Sequence, residues 1–202
     1  EKYDCQILLV SENKRGRLRK YLEIICYFGL INSLVSFIME IFYFLKLSRR
    51  VKKLKCEFVT DYNLNNHLKR LLKSTNFTKI ISIGCPCFIN VKLQDKYDIE
   101  IFNLHGGIIP YQIGRFSPIK SIAKGHQYLG ASIHKISNNF DDGDLISQDY
   151  FKKKNNNVIV NYNRVLKLSS SLLHSFLSNE LKTIQLEILE ELRKCSHLIQ
   201  KK

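Results

Sequence analysis

A chain of 202 residues with 45% hydrophobic and 11% aromatic content carries enough apolar material to bury a core, which excludes a disordered chain and predicts one principal domain. Six cysteines (Cys5, Cys26, Cys56, Cys85, Cys87, Cys195) contain no CxxC pair and no regular framework; a disulfide-stapled scaffold is excluded and a reducing, cytoplasmic compartment is expected. The formal charge of +14 is concentrated, with eleven Lys or Arg against two Glu in residues 14–55. Such a basic footprint attracts anionic lipid, nucleic acid or a phosphorylated substrate, and a merely solvated basic face accounts for it equally well.

The chain starts at Glu1 with no initiating Met and no secretory-signal pattern, so a start upstream is expected. Residues 4–11 form an apolar run ended by the polar Ser11-Glu12-Asn13-Lys14 and read as a buried, parallel-type strand. Residues 21–47 are apolar, with only Glu23, Glu40 and Lys46 charged. The uncharged segment inside them, residues 24–39, falls short of the roughly 20 residues a spanning helix needs, and basic clusters on both sides remove the asymmetry that would orient a span. Three readings stay open: packed helices broken at Gly29, an interfacial membrane element, and a true span. The first two are favoured, and peripheral membrane contact through residues 21–55 is the partner they imply.

Further on, residues 57–60 read as a short strand and 65–73 as a helix with Leu68, Leu71 and Leu72 on one side. Residues 78–84 read as a strand halted at Cys85-Pro86-Cys87, since proline cannot donate to the ladder. A zinc site there is not expected, because Cys-x-Cys without a second pair is not a zinc spacing. Residues 99–102 read as the next strand, which puts Asn103 and His105 at its carboxyl end and Gly106-Gly107 in the turn leaving it. Residues 118–124 read as a helix closed by Gly125. Residues 129–136 read as a strand with Ala131, Ile133 and Lys135 on one face and Ser132, His134 and Ile136 on the other. A strand at 145–151, a polar loop at 152–157 and a helical pattern over 165–199 complete the chain.

Strands separated by helices predict an α/β fold with a Rossmann-like, mostly parallel sheet and flanking helices. There is no G-x-G-x-x-G loop and hence no support for a dinucleotide cofactor. Ligands of open α/β sheets bind at the carboxyl ends of strands, where Asn103 and His105 offer an amide and an imidazole on one face. His134 reads as a supporting histidine more than a catalyst. Asp141-Asp142-Gly143-Asp144 lacks the twelve-residue spacing of a calcium loop, and no metal is expected.

The set Asn103-Leu104-His105, Ile108-Ile109-Pro110, Gly114, then Gly130-Ala131-Ser132-Ile133-His134 leading to Phe140-Asp141-Asp142-Gly143-Asp144 resembles the folate-dependent formyltransferases. The resemblance covers about residues 85–151 and implies a formyltransferase-like domain over 1–151, with an apolar and basic helical insertion near 18–55 and a helical extension over 152–202. It also implies that a first strand and helix preceding residues 4–11 are missing here. The implied formyl donor is 10-formyltetrahydrofolate, with Asn103, His105 and Asp141 catalytic and with Cys87, Ile89, Asn138 and Phe140 in contact with the donor. Asp142 and Asp144 are weaker candidates than Asp141. A carboxylate beside His105 is expected to raise its pKa and keep it cationic. Relatives carry a bulkier pair at Gly106-Gly107, which predicts a looser turn here.

Three acceptor classes compete under this resemblance. Methionyl-tRNA is disfavoured because only about fifty residues follow Phe151, and glycinamide ribonucleotide because the amino-terminal phosphate turn is absent. An amino sugar linked to a nucleotide is the expected acceptor; nucleic acid is not expected as a partner, and a homodimer stays open. The reading from another class is a degenerate, non-catalytic module that binds a membrane surface.

Overall fold

The structure, a computed structural model, describes residues 7–11 and 56–178. The apolar stretch at 21–47 with its three readings, the whole basic cluster at 14–55 and the helical pattern beyond Ser178 lie outside the described residues. The chain divides into two compact units, one drawn from Glu1–Asn76 and Cys85–Asn90 and the other from Phe77–Gly84 and Val91–Lys202.

In the first unit, β1 (Ile7–Ser11) pairs in parallel with β2 (Cys56–Thr60), from Ile7 opposite Cys56 to Ser11 opposite Thr60. A 3-10 turn (Asp61–Asn63) leads into α1 (Leu64–Ser74), whose Leu64, Leu68 and Leu72 recur every four residues and are buried as one stripe. On this helix the Asn65 amide braces the segment Cys85–Asn90: its Nδ2 donates to the Phe88 carbonyl at 2.9 Å and its Oδ1 accepts the Asn90 N–H at 2.8 Å.

The second unit is built on a four-stranded sheet in the order β3 (Lys79–Ile83), β4 (Glu100–His105), β5 (Tyr128–Lys135), β6 (Leu145–Lys152). β3 and β4 run parallel, while β4–β5 and β5–β6 are antiparallel. The α/β class and flanking helices are those the sequence predicts, and the sheet is mixed because β5 returns after the short α3 (Ser117–Ala123) and β6 follows β5 through a loop. Glycine in the left-handed region ends two of these elements: Gly84 (φ +57°) follows β3, and Gly125 (φ +78°) follows α3.

Two helices depart from the sequence reading. Residues 92–97 form α2 (Lys92–Tyr97), which has only Leu93 buried and so shows no apolar periodicity to read. The long terminal helix α4 (Val158–Leu177) starts seven residues before the expected position. Its first turn holds Val158-Ile159-Val160, β-branched residues that favour strand. Asn157 overrides that preference by accepting the Val160 N–H at 3.0 Å, and buried Asn161 donates to the Asn155 and Asn157 carbonyls, each at 2.8 Å.

Period-two alternation gives the sheet two chemically distinct faces. Phe102, Leu104, Ala131 and Ile133 are packed with Leu172 of α4, with Ile146, Leu168, Leu173 and Phe176 around them. The Phe102 and Phe176 rings meet edge to face at 5.0 Å. A second group, Leu129, Ile122 and Val165, continues the core between β5, α3 and α4. The opposite face of β4 and β5 therefore receives Asn103, His105, Ser132 and His134.

Candidate active site

Register builds the centre of the site. Asn103 stands directly opposite His134, and His105 opposite Ser132. The Asn103 Nδ2 lies 3.2 Å from His134 Nε2. His134 Nδ1 lies 2.8 Å from the Lys135 carbonyl, so Nδ1 carries a proton and Nε2 faces the Asn103 amide. One N–H of Asn103 is thus used inside the protein, and the other is available to a ligand oxygen.

Asp141 comes from the loop between β5 and β6 with φ at +51°, in the left-handed region. Its Oδ2 accepts the Gly114 N–H at 2.7 Å, while Oδ1 lies 3.4 Å from His105 Nδ1 and 3.6 Å from His134 Nε2. All three side chains are largely buried, at 10% exposure for Asp141, 9% for His105 and 2% for His134. Burial works against ionisation of Asp141, but its contacts with His134, with the His105 imidazole and with the Gly114 N–H together hold its carboxyl below the usual carboxylate range. Asp142 is exposed and accepts from Asn139 at 2.8 Å, and Asp144 is exposed as well. Asp141 is the carboxylate that meets the histidines.

The cationic His105 expected from sequence is not what the burial produces. Desolvation pushes the His105 imidazole below its ordinary value, and the opposing pull of Asp141 and of the Gln112 carbonyl does not offset it. Its Nε2 donates to that carbonyl at 2.6 Å. The neutral ring therefore leaves the Nδ1 lone pair on the Asp141 side.

Gln112, unremarked in the sequence, holds this arrangement. Its side chain is buried, with Oε1 accepting the Ile108 N–H at 3.2 Å and Nε2 donating to the Tyr128 carbonyl at 2.7 Å. Those two bonds fix the backbone carbonyl that sets the His105 tautomer. A residue acting through its backbone leaves no motif to find. Ser132 and Gln148 brace the same turn: Ser132 Oγ donates to the Gly107 carbonyl at 2.6 Å, and Gln148 Nε2 donates to Ser132 Oγ at 2.8 Å and to the Ile109 carbonyl at 3.0 Å. Their signal was the alternation that places them on the His134 face.

The turn at Gly106-Gly107 is tight, contrary to the looser turn expected. A Cβ on Gly107 would collide with the Gln112 carbonyl and lie 2.7 Å from both His105 Nε2 and Ser117 Oγ. On Gly106 it would make only ordinary contacts with Pro118 and Val165, at 3.5 and 3.6 Å. Of the residues expected at the donor, Asn138 and Phe140 lie exposed in the loop before Asp141, Phe140 at 74%. Cys87 and Ile89 belong to the first unit, on the segment braced by Asn65, Cys87 half-buried and Ile89 buried.

The site thus sets an amide and an imidazole at a strand end beside a buried carboxylate, groups able to donate to an oxygen and to exchange a proton. The family model "Formyl transferase" matches residues 48–177, and the chain belongs to that family, the formyltransferases its motifs resemble. Methionyl-tRNA formyltransferase of Finegoldia magna is 28% identical over 111 residues, covering 54% of this chain and 36% of that protein. The Prochlorococcus marinus enzyme of the same name is 28% identical over 113 residues, with 51% and 34% covered. The chain thus spans about a third of the length of these relatives. Among solved structures, glycinamide ribonucleotide transformylase 1 of Geobacillus kaustophilus superposes with a TM-score of 0.59 at 14% identity, covering 88% of this chain and 98% of that one. A sugar N-formyltransferase from Shewanella gives 0.54 at 16%, covering 90% and 74%. At these identities the structures show a shared fold.

Proposed function

We propose that the protein transfers a formyl group from 10-formyltetrahydrofolate to an amine, with Asn103, His105 and Asp141 as its catalytic residues. The observation that carries this reading is the meeting of His105 and His134 on the buried Asp141 carboxylate, with Asn103 against His134, inside the segment matched by the family model.

The donor supplies an activated formyl carbonyl; attack of an amine on it places negative charge on oxygen and makes the attacking nitrogen acidic. The free N–H of Asn103 is an oxyanion donor, and one such donor is worth roughly 3 to 4 kcal/mol in the transition state. His105, neutral and protonated at Nε2, accepts the amine proton at Nδ1, and Asp141 stabilises the imidazolium that forms. That imidazolium then holds a proton for the leaving nitrogen. Asn138 and Phe140 on the loop before Asp141, with backbone at Cys87 and Ile89, are the donor contacts of this reading.

For the acceptor we infer an amino group on a nucleotide-linked sugar. Its diphosphate suits the strongly basic chain, and the fold is shared with a sugar N-formyltransferase over 90% of the chain. The sequence relatives favour methionyl-tRNA as the second candidate.

The test has two parts. The stable donor analogue 5-formyltetrahydrofolate, at about 100 times its dissociation constant, stabilises the protein by roughly 2.7 kcal/mol in a thermal melt; no shift would sink the donor assignment. With the authentic donor present, nucleotide-linked amino sugars, glycinamide ribonucleotide and methionyl-tRNA are compared for formamide formation. Product from the sugars is expected. Product from methionyl-tRNA alone would replace the acceptor and leave the donor reading in place.

A further inference from the structure

Apart from the catalytic residues, a pair of nucleophilic side chains among the described residues stands ready for chemistry of its own, distinct from the donor contact proposed for the Cys87 backbone. Cys85 and Cys87 are free thiols, both half-buried, and their sulfurs are 3.7 Å apart across Pro86. That distance is within hydrogen-bonding range for sulfur and short of the roughly 2.05 Å of a disulfide. Proline between them offers no N–H to either sulfur; the two sulfurs face each other, and the Cys87 backbone N–H also reaches Cys85. The segment is anchored on its far side, where Asn65 holds Phe88 and Asn90. The thiol end can therefore rearrange by side-chain rotation while its anchor persists.

The pair shares a proton asymmetrically. The hydrogen bond from the Cys87 thiol lowers Cys85 to about 7, against the opposing effects of its own burial and of Asp61. Cys87, as the donor, is pushed up. A substantial fraction of Cys85 is thus thiolate at neutral pH, with a second thiol already in contact. The two thiols in contact are the groups this pair offers for chemistry.

We propose that Cys85 and Cys87 form an oxidation site that takes a hydroperoxide and closes to an intramolecular disulfide. The Cys85 thiolate attacks one peroxide oxygen, the O–O bond breaks and hydroxide leaves, giving a sulfenic acid on Cys85. The Cys87 sulfur then attacks the Cys85 sulfur, the S–O bond breaks, and the Cys87 proton departs with the hydroxide as water. Two thiols lose two electrons in total and hydrogen peroxide is reduced to two waters, the first hydroxide taking a proton from solvent. An external dithiol reverses the change by exchange. The site is independent of whether the protein transfers formyl groups.

The sequence supplies a clean assay. Trypsin releases residues 80–92 as one peptide that contains Cys85 and Cys87 and no other cysteine. The full chain is treated with hydrogen peroxide near pH 7, its remaining thiols are alkylated, and the digest is read by mass spectrometry. The expected product is this peptide unalkylated, two hydrogens lighter and restored by dithiothreitol. In Cys87→Ala, Cys85 sulfenic acid persists and is trapped by dimedone, and the pH midpoint for Cys85 alkylation moves from about 7 up toward the ordinary thiol value near 8.5. A doubly alkylated peptide after oxidation, or one joined to a different cysteine, overturns the proposal from the wild-type protein alone.

Discussion

His105 is held between a carbonyl that needs a proton and a carboxylate that prefers one, and its burial decides which form persists. Because the folded pKa is lowered, the resonances of its ring carbons should titrate below the ordinary value of about 6.5. Replacing Asp141 with Asn removes a charge that raises the pKa, so the midpoint should drop further; a rise would contradict the pairing. The same shift is a stability statement. The unfolded chain binds a proton that the folded one refuses, so the contribution of His105 is complete above about pH 6.5 and is lost as pH falls from there through the lowered folded value. Asp141, also lowered, behaves likewise further down, its contribution vanishing as pH falls from the ordinary carboxylate range through its own folded value. Urea melts across this range should lose stability on acidification, and His105→Gln should flatten the slope just below pH 6.5. Gln112 is tested by a different readout. Gln112→Leu removes the bonds to the Ile108 N–H and the Tyr128 carbonyl, which should cost about 1–3 kcal/mol. Nitrogen-15 shifts of His105 should then report a mixture of tautomers, whereas an unchanged Nε2–H form would show that the side chain does not position the ring.

At the scale of elements, the turn after β4 and the helix covering the sheet carry opposite sensitivities. Gly107→Ala drives a methyl into the carbonyl that holds His105 and should destabilise the turn by about 1–3 kcal/mol, with loss of formyl transfer. Gly106→Ala, with only ordinary contacts to meet, should be close to neutral, and equal effects at the two positions would refute the packing described. On the apolar face, Leu172→Ala empties a fully packed position of α4 and should cost about 2–5 kcal/mol in chemical unfolding. These elements were unequally legible in the sequence. β3, β4, β5 and β6 could be read because alternation or a bounded apolar run marks them, and α1 because Leu68, Leu71 and Leu72 mark one side, of which Leu68 and Leu72 are buried together with Leu64. α2 is too short to repeat anything, and the start of α4 is written in strand-favouring residues that an asparagine cap overrules. Within the site, Asn103 and His105 declared themselves by spacing at a strand end. Asp141 required the resemblance, because nothing local in an acidic turn says which carboxylate folds inward. Gln112 was invisible because its contribution is a backbone oxygen.

For the molecule as a whole, charge and site pose separate questions. The described site is built of largely buried side chains, while more than half of the net +14 comes from residues 14–55, all of them outside the described residues. On the proposed reading the site handles the amine and the formyl carbon, and the surplus of Lys and Arg bears instead on what approaches it. If the approaching group is the diphosphate of a nucleotide-linked sugar, screening should weaken its capture and leave the chemical step alone. The KM for the acceptor should then rise with ionic strength while kcat stays level, and charge reversal at Arg49, Arg50, Lys52 and Lys53 should reproduce the high-salt KM at low salt. If the basic segment serves an anionic membrane surface, the same variant keeps its KM and loses cosedimentation with phosphatidylserine vesicles. A variant unchanged in both measurements would make the cluster a solvated face, and acceptor choice would rest on contacts within the catalytic unit alone.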